Sequence, residues 1–130
     1  MSLRLIYLLA AGVAVAAGLL LRWPALALPW AVGKYGGSML WAAMVYLLLR
    51  AIAPRAGVVS AAIAAAVFAT LGEATQLISV PWFDALRETT LGHLIFGRTF
   101  AVEDIVAYWI GIAVAAAIDA AICAKRKAPA

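Results

Sequence analysis

Charge is scarce in this chain. Asp, Glu, Lys and Arg make up 12% of its 130 residues, whereas 68% are hydrophobic. An ordinary soluble domain is about 45–50% apolar, and a chain of this length buries only about two-thirds of the surface that it exposes when unfolded. A small water-soluble fold therefore cannot hide so much apolar surface. Disorder is excluded as well, because it requires low hydrophobicity and high net charge. The composition predicts a membrane protein.

Cysteine and histidine occur once each, as Cys123 and His93. One cysteine cannot form an internal disulfide or a multi-cysteine metal site, and we expect Cys123 to be a packing residue. A metal site built from His93, Glu73 and Asp104 has no ligand spacing to support it. The motifs G-x-S-x-G and H-E-x-x-H, typical of hydrolases, are also missing from the sequence. We therefore expect no metal and no cofactor.

The chain consists largely of long apolar runs rich in Ala and Leu. A helical span needs about 20 residues, so this length allows four spans, and the alternation of a transmembrane barrel is missing. The first run, residues 5–21, is 17 residues long, which exceeds the ~7–15 of a signal peptide, so we interpret it as a retained span. The sequence predicts one all-α domain, 1–130, with four transmembrane helices. Their expected ranges are 4–22, 34–53, 58–80 and 102–123.

Basic residues flank the predicted spans unequally. One side has Arg4, Arg50, Arg55, Lys125, Arg126 and Lys127, and the other has Arg22, Lys34, Arg87 and Arg98. Because Lys and Arg are enriched on the cytoplasmic side, we expect both termini in the cytoplasm and the longer connections outside. Asp119 and the basic tail 125–127 then fit interfacial anchoring near anionic lipid. Any functional site is expected in the outer half.

The second outer connection, residues 81–101, differs from a plain polar loop. It contains Asp84, which we expect to be a helix N-cap, and a short apolar patch at 91–97. A patch this short cannot span a bilayer, and irregular backbone at membrane depth must be covered by protein or line a wet cavity. We therefore predict an amphipathic or re-entrant connection between spans 3 and 4.

Glu73 is the charged residue that the pattern places inside a span. It lies eight residues before Pro81, on the order of 10 Å below the outer end of the third span, and Thr70 and Gln76 share its helix face. A charge at the bilayer centre costs roughly 2.5–3.5 kcal/mol, so Glu73 needs a partner or a wet pocket. A polar patch for helix packing and a ligand-facing carboxylate both remain open. The second is favoured, because ionisable residues inside a membrane are commonly functional.

Other polar residues fall in the same half of the predicted bundle. Asp104 and Tyr108 share one stripe of the fourth span with Gly111. Acids and bases in an apolar environment must pair, because each alone is an uncompensated buried charge. We therefore predict a ligand-binding site beneath the connection 81–101. Its expected residues are Lys34, Glu73, Gln76, Asp84, Arg87, His93, Arg98, Asp104 and Tyr108.

Several of these positions carry a resemblance to a known family. The segments concerned are 34–46, 73–77, 82–100 and 104–111. Over nearly its whole length the chain resembles the domain of unknown function 2809 family of small bacterial inner-membrane proteins, itself similar to the VanZ-like proteins. The likeness to VanZ is carried by Glu73-x-x-Gln76, Arg98, Asp104 and Gly111. The resemblance implies an envelope protein, and VanZ is associated with resistance to the glycopeptide teicoplanin, but no reaction comes with the family.

Three functions remain open at this stage. The favoured one is a non-catalytic protein that binds an envelope lipid or amphiphile, with Lys34, Arg87 and Arg98 on a phosphate or carboxylate. The second is an intramembrane lipid-modifying enzyme with Glu73 or His93 as general base. The third is a small proton-coupled transporter. We expect membrane lipid as partner and no nucleic acid, and the sequence does not fix the oligomeric state.

Overall fold

The computed structural model describes residues 2–77, 81–90 and 101–127. We number five α-helices in these ranges, and the described residues contain no strand. Their bounds are α1 Leu3–Leu21, α2 Trp30–Ile52, α3 Val58–Ala74, α4 Pro81–Glu88 and α5 Val102–Lys127. A 3₁₀ turn follows α1 at Pro24–Leu26 and another follows α3 at Thr75–Leu77.

Four of these helices are long and apolar enough to cross a membrane. They are α1, α2, α5 and α3 together with its 3₁₀ turn. Large apolar side chains such as Leu19, Ile63 and Ile118 are more than half exposed on the outside of the bundle, an arrangement that lipid stabilises and water would not. The predicted all-α fold with four transmembrane helices is confirmed, and the chain is a multi-pass membrane protein.

Two helices extend past the expected ends of their spans. α2 begins at Trp30 rather than at 34, because Pro29 precedes it with a φ of −53°, a backbone angle that suits a helix start. α5 continues to Lys127 rather than ending at 123, since basic residues are favourable in a last helical turn. The last three residues of the third expected span, 78–80, lie outside the described residues.

The described part of the connection between α3 and α5 is the amphipathic helix α4. Phe83 is buried in it, whereas Trp82 is exposed. Because the helix begins at Pro81, Asp84 lies in its first turn, and the prediction that Asp84 is an N-cap is wrong. Residues 91–100, with the short apolar patch, lie outside the described part of the chain.

α2 is the central helix and packs against α1, α3 and α5. The core between α2, α3 and α5 consists mostly of small or branched side chains: Ala42, Val45, Tyr46, Ala61, Ala65, Ile112 and Ala116. At Gly111 of α5, an added Cβ would collide with the main chain of Met39 in α2. Small residues let transmembrane helices approach closely, and here the approach is close enough to require glycine.

Candidate functional site

Polar side chains gather at both ends of the bundle. The Glu73 end contains the last turns of α1 and α3 and the first turns of α2 and α5, and the Asp119 end is the opposite one. On α3 the buried residues are Ala61, Ala65, Ala69 and Glu73, spaced four apart. This spacing puts them on one helix face. Glu73 is therefore the last position of an otherwise alanine stripe, and it is only 2% exposed.

The buried carboxylate of Glu73 is held by three donors. Its Oε1 accepts a hydrogen bond from the backbone N–H of Ala101 at 3.0 Å. Its Oε2 accepts from the hydroxyl of Tyr108 at 2.9 Å and from Nε2 of Gln76 at 3.2 Å. These bonds join the end of α3 to the start of α5, and they bring together three of the predicted site residues. All three donors are neutral, so the described contacts leave the carboxylate without a cationic partner.

Two further acceptors in this region have no donor. Oε1 of Gln76 and Oδ1 of Asp104 are buried, and neither has a hydrogen-bond partner among the described residues. Asp104 is also close enough to Glu73 for the two carboxyl groups to interact. A buried polar atom without a partner costs about 1–3 kcal/mol. We call Glu73, Gln76, Asp104 and Tyr108 the acceptor cluster, because its described members offer more acceptors than donors.

Arg22 lies next to this cluster. From the sequence it was predicted only to flank the end of a span. Its guanidinium group rests on Gly37 of α2, where an added Cβ would lie 2.8 Å from both Nε and Nη2. It is also near enough to Tyr108 for an electrostatic interaction. The adjacent glycines Gly36 and Gly37 were the available signal, since small residues on a span mark a close approach by another group.

Lys34 lies at the rim of this end rather than in the acceptor cluster. Its ammonium group sits 5.0 Å from the ring of Trp30 and 5.2 Å from that of Tyr35, which is cation–π geometry. With Arg22 and Trp23 it lines a cavity of about 400 Å³ between the end of α1 and the start of α2. No contact among the described residues joins Lys34 to Glu73.

The other predicted site residues belong to the connection before α5. Asp84 is half-buried in α4. Arg87 lies in the same helix, but its side chain is outside the described part of the structure, and so are His93 and Arg98. Their convergence on Glu73 stays a prediction.

The acceptor cluster lies in the part of the chain that matches a known family. The family model described as "Protein of unknown function (DUF2809)" matches residues 27–112. The chain belongs to this family. No solved structure matches the chain. The matched range contains all four residues of the acceptor cluster, whereas Arg22 precedes it.

A second buried cluster lies at the Asp119 end and only partly within the family match. Asp119 accepts hydrogen bonds from the hydroxyls of Tyr7 at 2.8 Å and Tyr46 at 2.5 Å, and from Nε of Arg50 at 2.8 Å. All four side chains are more than nine-tenths buried. The expectation that Asp119 belongs to an interfacial anchor is therefore wrong, and Arg50 is an ion-pair partner rather than a flanking charge that faces lipid headgroups.

The guanidinium of Arg50 has acceptors on every side. Nη1 donates to the carbonyl oxygens of Ala56 and, at 3.3 Å, of Pro54 in the turn between α2 and α3. Nη2 donates to the hydroxyl of Tyr7 at 2.8 Å. A buried ion pair is stable when further hydrogen bonds satisfy its remaining polar atoms, and this one meets that condition. The Asp119 cluster is a structural tie between three spans.

Two signals in the sequence point to this cluster in hindsight. Tyr46 and Arg50 are one turn apart on α2, and Asp119 shares a face of α5 with the buried Ile112. Cys123 follows one turn after Asp119, with Sγ 3.4 Å from Oδ1, so it contacts the polar cluster as well as apolar neighbours. A polar pair on two spans at the same end was the pattern to notice.

Proposed function

We propose that this chain is a bacterial inner-membrane protein that binds an envelope lipid or amphiphile through the acceptor cluster, as a member of the VanZ-like group. The excess of basic residues at the Asp119 end supports cytoplasmic termini, and the acceptor cluster then lies in the outer half of the membrane. The likeness to VanZ in Glu73, Gln76 and Asp104 supports a shared role for these positions.

The observation that carries the proposal is the pair of buried acceptors on Gln76 and Asp104, for which the described residues offer no donor. A ligand that brings N–H donors removes the cost of leaving them unpaired. An ammonium group suits this place best, because Glu73 and Asp104 are carboxylates and charge-assisted hydrogen bonds are roughly twice as strong as neutral ones. The ligand class is therefore an amphiphile with an amine in its headgroup.

Arg22 and Lys34 extend the same argument to the rest of a headgroup. They line the cavity beside the cluster together with Trp23 and Trp30, and tryptophan is enriched at membrane–water interfaces. Two cations next to an acceptor-rich site suit a zwitterionic headgroup, with its phosphate at the rim and its amine in the cluster. Phosphatidylethanolamine has this chemistry.

The test is the affinity of the purified protein for phosphatidylethanolamine, measured by native mass spectrometry after removal of bound lipid. We expect Asp104→Asn and Gln76→Leu each to weaken binding about tenfold, since a hydrogen bond to a charged group is worth about 1.5–3 kcal/mol. Glu103→Gln is the matched control, because it also replaces an acid by its amide in the first turn of α5 but at an exposed position. Equal affinities for all four proteins would overturn the proposal.

A proton-coupled transporter is the second candidate, and the buried carboxylate of Glu73 inside a span favours it. Its signature is proton uptake coupled to a substrate in proteoliposomes, abolished by Glu73→Gln. A lipid-modifying enzyme would instead leave a chemically altered lipid after incubation with the wild-type protein. Lipid binding with neither coupled proton uptake nor an altered lipid would distinguish a lipid-binding protein from a transporter and from an enzyme.

A further inference from the structure

A long groove opens between α1 and α5, and it runs from the Asp119 end to Gly111, about one helical turn from Tyr108 of the acceptor cluster. Both helices pack on α2, which forms the floor. The groove encloses about 410 Å³, within the ~300–1,000 Å³ range of ligand pockets. Its middle is lined by small residues: Ala10, Ala14, Ala17, Ala43, Gly111 and Ala115. It is present because neither facing helix has large side chains at these positions.

The shape of the groove fits a single alkyl chain. It extends along α1 from Leu3 to Ala17, which is about 21 Å at 1.5 Å per residue. The lining is almost entirely apolar over this length, so an extended alkyl chain lying in the groove would contact apolar side chains along it. One leaflet of hydrocarbon is about 15 Å thick, so an acyl chain from the leaflet at the Asp119 end is covered along its whole length.

Among the described residues, polar side chains line the groove only at the Asp119 end. Asp119 and Tyr7 lie at this end. Asp119 is already paired with Arg50, and the Tyr7 hydroxyl is hydrogen-bonded to both Asp119 and Arg50. Arg126 also lines this end, and it is exposed. Its guanidinium is therefore a charged group available to a headgroup at the mouth, with Lys125 and Lys127 beside it in sequence.

We infer that this groove is a second lipid site, specific for an anionic phospholipid of the leaflet at the Asp119 end. One acyl chain lies between α1 and α5, and Arg126 binds the phosphodiester. Arginine suits this role because its planar group donates two parallel hydrogen bonds to a phosphate. Charge complementarity selects an anionic lipid over a zwitterionic one, because the three basic residues 125–127 leave the mouth with a positive charge that the buried Asp119–Arg50 pair does not offset.

The experiment compares phosphatidylglycerol with phosphatidylcholine of the same acyl chains, titrated into the delipidated full-length protein and measured by native mass spectrometry. We expect tighter binding of phosphatidylglycerol, and a loss of at least fivefold in Arg126→Gln. Lys127→Gln is the control. It removes one positive charge from the residue next to Arg126, and the Lys127 side chain does not line the groove. Its affinity should change less than twofold.

Ala10→Phe tests the groove itself. Ala10 is half-buried in the middle of the lining. A phenyl ring at this position should block the acyl chain and weaken the binding of both lipids. The thermal unfolding temperature of the variant checks that it is folded. Equal losses in Arg126→Gln and Lys127→Gln would mean diffuse attraction to the basic tail and would overturn the inference. So would a stable dimer that excludes phosphatidylglycerol. Asp104→Asn should leave this affinity unchanged, which separates this site from the acceptor cluster.

Discussion

A carboxylate inside a membrane is stable when its charge and its lone pairs are both satisfied, and Asp119 and Glu73 differ in this respect. Asp119 has a guanidinium partner and two tyrosine hydroxyls. Among the described residues, Glu73 has three donors, all neutral, and the nearby Oδ1 of Asp104 has no donor. The first arrangement is complete without a ligand. The second gains free energy from any cationic donor that reaches it.

Asp119→Asn is expected to destabilise the fold by about 3–5 kcal/mol, because it leaves Arg50 as an uncompensated buried charge. The free energy of unfolding, measured by denaturant titration in mixed micelles, checks this value. Glu103→Gln, an exposed acid-to-amide change on the same helix, should change it by less than about 0.5 kcal/mol. Similar stabilities for the two variants would contradict a structural role for the ion pair.

Glu73 could be predicted from the sequence because it is the one charged residue between Arg55 and Asp84, and a lone acid in a long uncharged segment stands out. Arg50 and Asp119 could not be identified in the same way. Both lie within nine residues of the end of their helices, where charged residues are ordinary, and their pairing joins helices 69 positions apart. The pattern on each helix marks polar positions at the same end of the bundle, but it does not show which of them form a pair.

At the scale of the helix, the position of the spans follows from hydrophobic length, but the helix contacts do not. Glycine and alanine are spread through all four spans, so their spacing does not indicate which of them lies at a close crossing. The structure distinguishes the glycines at close helix crossings from those in open space. Gly111 contacts the main chain of α2, whereas an added Cβ on Gly12 has nothing within 4 Å.

Gly111→Ala should therefore cost about 1–3 kcal/mol, because the neighbour that an added methyl would meet is backbone and cannot move aside without separating α2 from α5. Gly12→Ala is the matched control, and it should be neutral or stabilising by up to about 1 kcal/mol through helix propensity. The same denaturant titration in mixed micelles measures both. A harmless Gly111→Ala would mean that the two helices do not cross as closely as described.

At the scale of the whole molecule, the two ends of the bundle have different roles. The Asp119 cluster ties α1, α2 and α5 together at one end, so the other end can retain unpaired acceptors without loss of the fold. We therefore expect substitutions in the acceptor cluster to affect ligand binding more than stability.

The orientation of the bundle is the prediction on which the outer placement of the acceptor cluster depends. Arg50 no longer counts as a flanking charge, but Arg4, Arg55 and residues 125–127 are exposed at the Asp119 end. At the opposite end, Arg22 rests on Gly37 and Lys34 on two aromatic rings. Among the described side chains, the bases free to interact with a cytoplasmic headgroup region are therefore mainly at the Asp119 end, and the positive-inside rule predicts that this end is cytoplasmic.

Single cysteines introduced into a Cys123→Ser background test this orientation. Leu28→Cys, in the exposed turn between α1 and α2, should react with a membrane-impermeant maleimide on intact bacterial cells. Ala53→Cys, at the exposed end of α2, should react only after the inner membrane is opened, and the background protein should not react at all. Labelling in the reverse order would put the acceptor cluster on the cytoplasmic side. The ligand of that cluster would then have to come from the inner leaflet, and the lipid in the groove from the outer one.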